Sequence, residues 1–281
     1  MSRVRILTDS TSDIPSELAQ RLKITVVPAY IQMGNLSYRD EPTSTGFSRE
    51  EFYRQLSSMP DVPTTAVPPA QEFAAAYRDL ANEAEELVVI VVSTTLSGMY
   101  NVAHLAAQDV PDVQIYIVDS EQVTMGLGWL VIAAAEAAAE GKGGQEILAL
   151  IENMKPRVHV YAMLDTLEYL RRSGRVRWAR ARAAQILRIK PIVEVFLGKV
   201  RDIGRVRTRQ RAIDHLLDRV RALGPLERLA ILHTYSPDLE TFGRRLADLS
   251  KTAQLTTVAV TTIIGAHVGP KGLGVATVTA H

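Results

Sequence analysis

The 281-residue chain contains no cysteine, and aromatic residues make up only 6% of it. The absence of cysteine excludes disulfide bonds, thiolate catalysis and metal sites built on sulfur. The six histidines are scattered without the spacing of metal ligands, so neither a metal nor another cofactor is expected. Apolar residues (47%) and charged residues (22%) occur at the levels of an ordinary globular protein.

The chain also lacks a long apolar segment. The longest apolar run, Gly126 to Ala135, is too short to cross a bilayer and is followed by Glu136. The first residues, MSRVRILTDS, lack the apolar core of a signal peptide. We therefore expect a cytoplasmic protein with no membrane span.

Several enzyme signatures are missing as well. The sequence has no GxxxxGK[ST] phosphate loop, no GxGxxG after a strand, no HExxH and no GxSxG. Ser97, His267 and an aspartate could in principle form a triad, but no nucleophile elbow supports one. The residues favour a binding protein over a hydrolase or a kinase.

Charge is distributed unevenly along the chain. Residues 1–155 carry 10 Lys and Arg against 21 Asp and Glu, a net of −11, whereas residues 156–281 carry 22 against 10, a net of +12. The basic excess is concentrated between Arg171 and Arg211. This asymmetry indicates two domains and an anionic partner for the second, unless the arginines form a solvated surface or attract the first half.

The first half reads as a parallel α/β/α domain over residues 1–156. Asp13 and Ser48 are placed to cap helices, with Glu51 completing a capping box after Ser48. The glycines of MGLG at 125–128 are expected to permit close helix packing. Four apolar segments predict strands that alternate with helices, namely Val4–Leu7, Thr25–Ile31, Leu87–Val92 and Gln114–Val118.

The second half reads as an α/β domain with a mixed sheet over residues 157–281. Pro191–Phe196 and Lys199–Val206 predict a hairpin through Gly198. Thr256–Ile264 and Val275–Thr279 predict two more strands, which would place His267 in a glycine-rich turn between them. We expect a ligand to lie between the two domains.

Hydroxyl groups are abundant in the loops that lead into helices. They occur in TDSTSD at 8–13, STTLSG at 93–98 and DSEQVT at 119–124, and at Thr64 and Thr65. Because such loops meet at the carboxyl edge of a parallel sheet, they favour binding of a carboxylate or phosphate there. The alternative for each single loop is that its hydroxyls only cap a helix.

A set of motifs resembles the DegV family, the fatty-acid-binding subunits of bacterial fatty acid kinase. The resemblance covers essentially the whole chain. It rests on the order and spacing of TDSTSD at 8–13, PTT at 63–65, LSGMYN at 96–101, VDS at 118–120, MGLG at 125–128, LRRSGR at 170–175, KPI at 190–192 and IGAHVGPKGLG at 264–274.

The resemblance implies a two-domain fold with one acyl chain buried between apolar elements. Its motifs place Thr65 and Ser97 on the ligand carboxylate with His267 near them, and Thr64 belongs to the same motif. Arg171 and Arg172 are implied as further charges near the site. Two positions depart from the family pattern, because Ala66 and Met99 each stand where a hydroxyl is common. The affinity for the fatty acid and the preferred acyl chain are therefore expected to differ from those of the family.

The resemblance also implies that a separate kinase subunit phosphorylates the bound acid. Arg201, Arg205, Arg207 and Arg209 are the arginines expected to face that kinase, the last three on one face of an extended segment. The alternative is a regulator that binds an anion or nucleic acid through Arg171–Arg211, although nucleic acid binding is disfavoured because only Trp178 and Phe196 are available for stacking.

Overall fold

The computed structural model describes residues 3–41, 48–59, 61–180, 189–249 and 255–280. The strands are β1 (Val4–Asp9), β2 (Thr25–Val27), β3 (Tyr30–Met33), β4 (Leu36–Arg39), β5 (Thr64–Ala66), β6 (Glu86–Val91), β7 (Gln114–Asp119), β8 (Val158–Met163), β9 (Lys190–Phe196), β10 (Lys199–Val206), β11 (Leu226–His233), β12 (Leu255–Ala259) and β13 (Leu273–Thr279). The α-helices are α1 (Ser16–Arg21), α2 (Arg49–Gln55), α3 (Ala70–Ala81), α4 (Met99–Ala107), α5 (Met125–Ala139), α6 (Gly144–Met154), α7 (Glu168–Ser173), α8 (Arg177–Arg180), α9 (Arg209–Ala222), α10 (Leu239–Leu249) and α11 (Thr262–Val268).

A parallel sheet of four strands, in the order β2-β1-β6-β7, forms from the first half of the chain. Its strand β6 is the run ELVVIV, in which every residue after Glu86 is buried, as is typical of a strand covered on both faces. The expected parallel α/β arrangement is confirmed. At α2 the expected Ser48 cap is also present, because its hydroxyl accepts the Glu51 N–H at 3.2 Å.

The predicted strand Thr25–Ile31 is wrong as a single element. The chain divides it into β2, in the parallel sheet, and β3, in a separate antiparallel sheet of order β4-β3-β5. Pro28 has no N–H for a ladder, and the N–H of Ala29 donates to the Ser10 hydroxyl at 3.1 Å instead of to a strand. The antiparallel sheet matters for the site, because its strand β5 carries Thr65.

A mixed sheet of six strands, in the order β10-β9-β8-β13-β11-β12, forms from the second half. The predicted hairpin is confirmed as β9 and β10, and β11 pairs with β12 in parallel and with β13 antiparallel. The strands of the four-stranded sheet precede residue 155 and those of the mixed sheet follow it. The division into domains at 156/157 stays a prediction.

Helix α5 joins the two larger sheets. It is buried almost throughout, and its Trp129 Nε1–H donates to the carbonyl of Ala276 in β13 at 3.0 Å. The two glycines of its MGLG motif permit close packing of the helix, as expected. A Cβ on Gly126 would lie 2.6 Å from Val160 Cγ2, and one on Gly128 would lie 2.7 Å from the carbonyl oxygen of Ser12.

The predicted strand Thr256–Ile264 is wrong in its second part. Strand β12 ends at Ala259, and Thr261 opens the short helix α11 from an extended conformation (φ −61°, ψ 161°). The β-branched residues favour a strand, but tertiary packing overrides that preference. Helix α11 ends where Gly269 takes φ +79°, so His267 lies in a last helical turn and not in a turn between strands.

Within the described ranges, no helix combines the length and the apolar character that crossing a bilayer requires.

Candidate functional site

A cavity of about 540 Å³ lies among residues from both halves of the chain. This volume falls in the range of cavities that hold small molecules, roughly 300–1,000 Å³. Most of its wall is aliphatic and comes from the mixed sheet, from α11 and from the end of β6. The aliphatic side chains of the wall include Val92, Val160, Ala162, Val193, Val195, Val200, Leu232, Val260, Ile263 and Ile264.

Polar side chains are grouped where Thr65 and His267 meet. Thr65 Oγ1 lies 2.9 Å from His267 Nε2 and accepts an N–H of Arg175 at 3.3 Å. Thr65 is placed by the pairing of β5 with β3, opposite Ile31, and His267 by the last turn of α11. We call Thr65, Ser97, Arg175 and His267, all of which line the cavity, the head-group cluster.

Ser97 reaches the cavity from the loop between β6 and α4. Its N–H donates to the carbonyl of Ser93 at 3.1 Å, and its hydroxyl oxygen accepts the N–H of Met99 at 3.3 Å. The hydroxyl proton of Ser97 is thereby left available to donate to a ligand.

The head-group cluster is electropositive at neutral pH. Burial, reinforced by the neighbouring Arg175, lowers the pKa of His267 to about 3, so its imidazole is neutral. Partial burial lowers the pKa of Arg175, yet a guanidinium stays charged at neutral pH. No acidic side chain occurs among the described residues that line the cavity. An apolar cavity with one cationic end suits an amphiphilic anion.

Three of the residues expected at the site lie outside the cavity wall. Thr64 is exposed, whereas Thr65 and Ala66, the other two residues of β5, line the cavity. Arg172 is exposed and forms an ion pair with Glu168. Arg171 is half-buried, and its Nε has no hydrogen-bond partner in the described part of the chain.

The arginine that the structure does bring to the site is Arg175. It is the last residue of the LRRSGR motif, and it follows Gly174, which ends α7 with φ +72°. A positive φ after a helix is the signal that the chain changes direction there. Ala66 and Met99, the two departures from the family pattern, both line the cavity.

One cavity-lining hydroxyl from each of the other two loops, TDSTSD and DSEQVT, is bonded inside the protein. Thr11 and Thr124 line the cavity, but the Thr11 hydroxyl donates to Asp9 and the Thr124 hydroxyl donates to Asp13, at 2.5 Å each. The expectation that Asp13 caps α1 is wrong, because Asp13 has φ +53° and α1 begins after Pro15. These two hydroxyls bind carboxylates of the protein, which is neither the anion binding nor the helix capping that the sequence predicts for such loops.

The four arginines expected to face a kinase are in different surroundings. Arg201 lies over the Phe196 ring at 5.2 Å, Arg205 donates to Asp202 at 2.8 Å through Nε, and Arg207 is exposed. The single extended face predicted for the last three is wrong, because β10 ends at Val206 and α9 begins at Arg209.

Arg209 is largely occupied within the protein. It donates to Asp238 at 2.6 Å, to Ser236 at 2.7 Å and to Asp165 at 2.8 Å. A guanidinium with three such partners is held in place by the fold and is a poor candidate for contact with another protein.

The aromatic residues of the basic stretch are also engaged. Trp178 Nε1–H donates to the carbonyl of Val200 at 2.9 Å, and the Phe196 ring stacks on His159 with centroids 4.8 Å apart. Residues 181–188 of the basic stretch lie outside the described residues.

In the part of the chain that is described, no group of three or more His, Asp or Glu side chains could hold a metal ion.

Comparison with protein families and with known sequences finds similar proteins along almost the whole chain. A family described as "Uncharacterised protein, DegV family" matches residues 3–280. The DegV domain-containing protein of Streptomyces coelicolor is 34% identical over 281 residues, covering 98% of both chains. That of Clostridium perfringens is 31% identical over 282 residues, covering 97% of this chain and 98% of the relative.

Solved structures share the fold. The Thermus thermophilus structure, described as showing fatty acid binding of a DegV family protein, superposes with a TM-score of 0.89 at 28% identity and covers 99% of this chain and 100% of its own. DegV from Bacillus subtilis, described as a fatty acid binding protein, has a TM-score of 0.89 at 27% identity and covers 100% of both chains.

Proposed function

The chain belongs to the DegV family, and on that premise we propose that it binds one long-chain fatty acid and presents the carboxylate to a separate kinase subunit. The observation that carries the proposal is the cavity itself, which is aliphatic over most of its wall and has one cationic side chain, Arg175, beside the hydroxyl of Thr65. The acyl chain lies along the mixed sheet, and the carboxylate lies at the head-group cluster.

The two ends of the ligand are bound by different forces. Burying one methylene is worth about 0.8 kcal/mol, so a dozen contribute roughly 10 kcal/mol before the cost of ordering the chain. The head group adds hydrogen bonds from Thr65 and Ser97 and the charge of Arg175. The neutral imidazole of His267 holds Thr65 by hydrogen bonding and adds no second positive charge.

The experiment uses protein stripped of lipid by organic extraction or refolding. Hexadecanoate should raise the melting temperature, because a ligand that binds only the folded state stabilises it by about 2.7 kcal/mol at one hundred times Kd. Hexadecanol, which has the same tail without the carboxylate, should bind more weakly. Equal effects of the two would contradict a head-group site, and no effect of either would contradict lipid binding.

Two features support presentation to a kinase. The sequence has no phosphate loop of its own, and Arg201, Arg205 and Arg207 expose cations near the hairpin of β9 and β10. The test is acyl-phosphate formation from ATP with and without the cognate kinase. Product formed only when both proteins are present supports the proposal, and ATP turnover by this chain alone contradicts it.

A further inference from the structure

Buried carboxylates from the first half of the chain bind the junction between β12 and α11, residues 259–262. Asp13 Oδ1 accepts the N–H of Thr261 at 2.8 Å, while its Oδ2 accepts the Thr124 hydroxyl. Asp40 Oδ1 accepts the hydroxyl of Thr262 at 3.1 Å. These bonds satisfy groups at the beginning of α11, where backbone N–H groups lack partners within the helix.

Two side chains of α2 bind the same junction. Arg49 donates to the carbonyl of Ala259 at 2.8 Å, and the Tyr53 hydroxyl lies 3.0 Å from each of the carbonyls of residues 260 and 261. Tyr53 also packs on Gly265 of α11 so closely that a Cβ there would collide with its ring. We call Asp13, Asp40, Arg49 and Tyr53 the junction clamp.

The junction clamp acts on the helix that carries His267. Given the fatty acid site proposed above, we propose that Asp13 is a positioning residue for that site, holding α11 so that His267 faces Thr65. Asp13 does not line the cavity, so it acts through α11 and not by touching the ligand. Its contact with Thr124 ties the same carboxylate to a residue of the cavity wall.

The charge of Asp13 depends on the groups that face it. Arg49 and Tyr53 face it from α2 and Asp40 from the end of β4, while Thr124 and Thr261 donate hydrogen bonds to it. Burial raises the pKa of Asp13 to about 6, although Arg49 and these hydrogen bonds oppose the rise. Asp13 is therefore ionised at pH 8 and largely protonated at pH 5.

Protonation of Asp13 should loosen α11 without unfolding the protein. An ionised carboxylate is the stronger hydrogen-bond acceptor, so the bond to the Thr261 N–H weakens as the pH falls through about 6. Because the pKa is raised above its usual value near 3.8, this group's contribution to stability is largest at low pH and is lost as the pH rises through about 6. If fatty acid binding weakens as the pH falls, the cause is therefore not a loss of folding stability at Asp13.

The test compares Asp13→Ala and Asp13→Asn with the control Glu86→Ala. Asn at position 13 can keep both hydrogen bonds, since its oxygen accepts the Thr261 N–H and its amide donates to Thr124. Glu86 is a half-buried carboxylate at the beginning of β6 whose Oε2 accepts the N–H of Gly144 at 2.9 Å, and neither Glu86 nor Gly144 lines the cavity. Glu86→Ala therefore removes a carboxylate that accepts a backbone N–H, as Asp13→Ala does, but at a place away from the cavity wall and from residues 259–262.

Hexadecanoate binding is measured by calorimetry at pH 8 on lipid-free protein, with the melting temperature of each variant. We expect Asp13→Ala to raise Kd about tenfold, Asp13→Asn to raise it less than about threefold, and Glu86→Ala to leave it within about twofold. An Asp13→Ala variant whose Kd matches that of Glu86→Ala overturns the proposal. If wild-type protein binds no acid, the proposed function fails, and the positioning role is judged by a second measurement.

That measurement is the ring signal of His267 in NMR spectra of the ligand-free protein. At pH 8, where His267 is neutral, Asp13→Ala should displace this signal from its wild-type position, because α11 loses the bond to the Thr261 N–H. Asp13→Asn, which can keep that bond, should displace it less, and Glu86→Ala should leave it in place. A His267 signal that stays at the wild-type position in Asp13→Ala, or is displaced alike in Asp13→Ala and Glu86→Ala, overturns the proposal.

Discussion

Replacing Arg175 by Met tests the electrostatics of the head-group cluster. The substitution keeps an unbranched apolar stem in place of that of Arg175 and removes the one permanently charged group among the described residues of the cavity wall. A hydrogen bond to a charged group is worth about 1.5–3 kcal/mol, and partial exposure of the guanidinium lowers that figure. A loss of about 1–2 kcal/mol is expected, which raises Kd roughly 5- to 30-fold.

The assay is calorimetric titration of lipid-free protein with hexadecanoate, at low salt and at 0.5 M salt. The loss should shrink at high salt, because an exposed charge is screened within about 10 Å already at 0.1 M salt. Arg172→Met is the matched control, since Arg172 is exposed, pairs with Glu168 and lies outside the cavity. Equal affinities of the two variants, or a larger loss in the control, would refute the placement of the carboxylate beside Arg175.

Three further predictions follow from the same geometry. Ser97→Ala and Thr65→Ala should each weaken hexadecanoate binding by about 1–3 kcal/mol in calorimetry, with melting temperatures of the lipid-free proteins nearly unchanged, and a double variant that binds like wild type would remove both from the site. The His267 imidazole should show no NMR signature of protonation above pH 5, and because its folded pKa of about 3 lies below the usual 6.5, its contribution to the free energy of unfolding is present above pH 6.5 and is lost as the pH falls from there towards 3. Arg205→Glu with Arg207→Glu should leave acid binding unchanged but slow acyl-phosphate formation, most at low salt, and unchanged turnover at two ionic strengths would assign these arginines to the solvated surface.

The larger elements could be predicted because their patterns are strong and local. The buried run of β6 and the hairpin of β9 and β10 carry their signals in consecutive residues. Helix α11 could not be predicted, because its β-branched residues read as a strand and its helical state depends on the junction clamp and on Tyr53 packing against Gly265. Those contacts join residues far apart in the chain.

At the site, too, residues within a motif could be predicted, whereas contacts that depend on the folded chain could not. Thr65, Ser97 and His267 carry motif signals, and the structure brings them to one cavity. Arg171 and Arg172 belong to the right motif, yet which of its arginines reaches the cavity depends on the turn at Gly174. The glycines beside His267 predict a turn between strands, whereas Gly265 and Gly269 make room for the rings of Tyr53 and Tyr169.

The central claim is that the cavity holds one fatty acid, and mass spectrometry tests it most directly. Protein purified from a bacterial host without added lipid is weighed in its native state, then denatured and extracted with organic solvent. The native mass should exceed the chain mass by one acyl chain, and the extract should contain long-chain fatty acid in about equimolar amount, because burial of the tail makes release slow. A native mass equal to the bare chain, with an extract free of acyl lipid and no uptake of added hexadecanoate, would contradict the account.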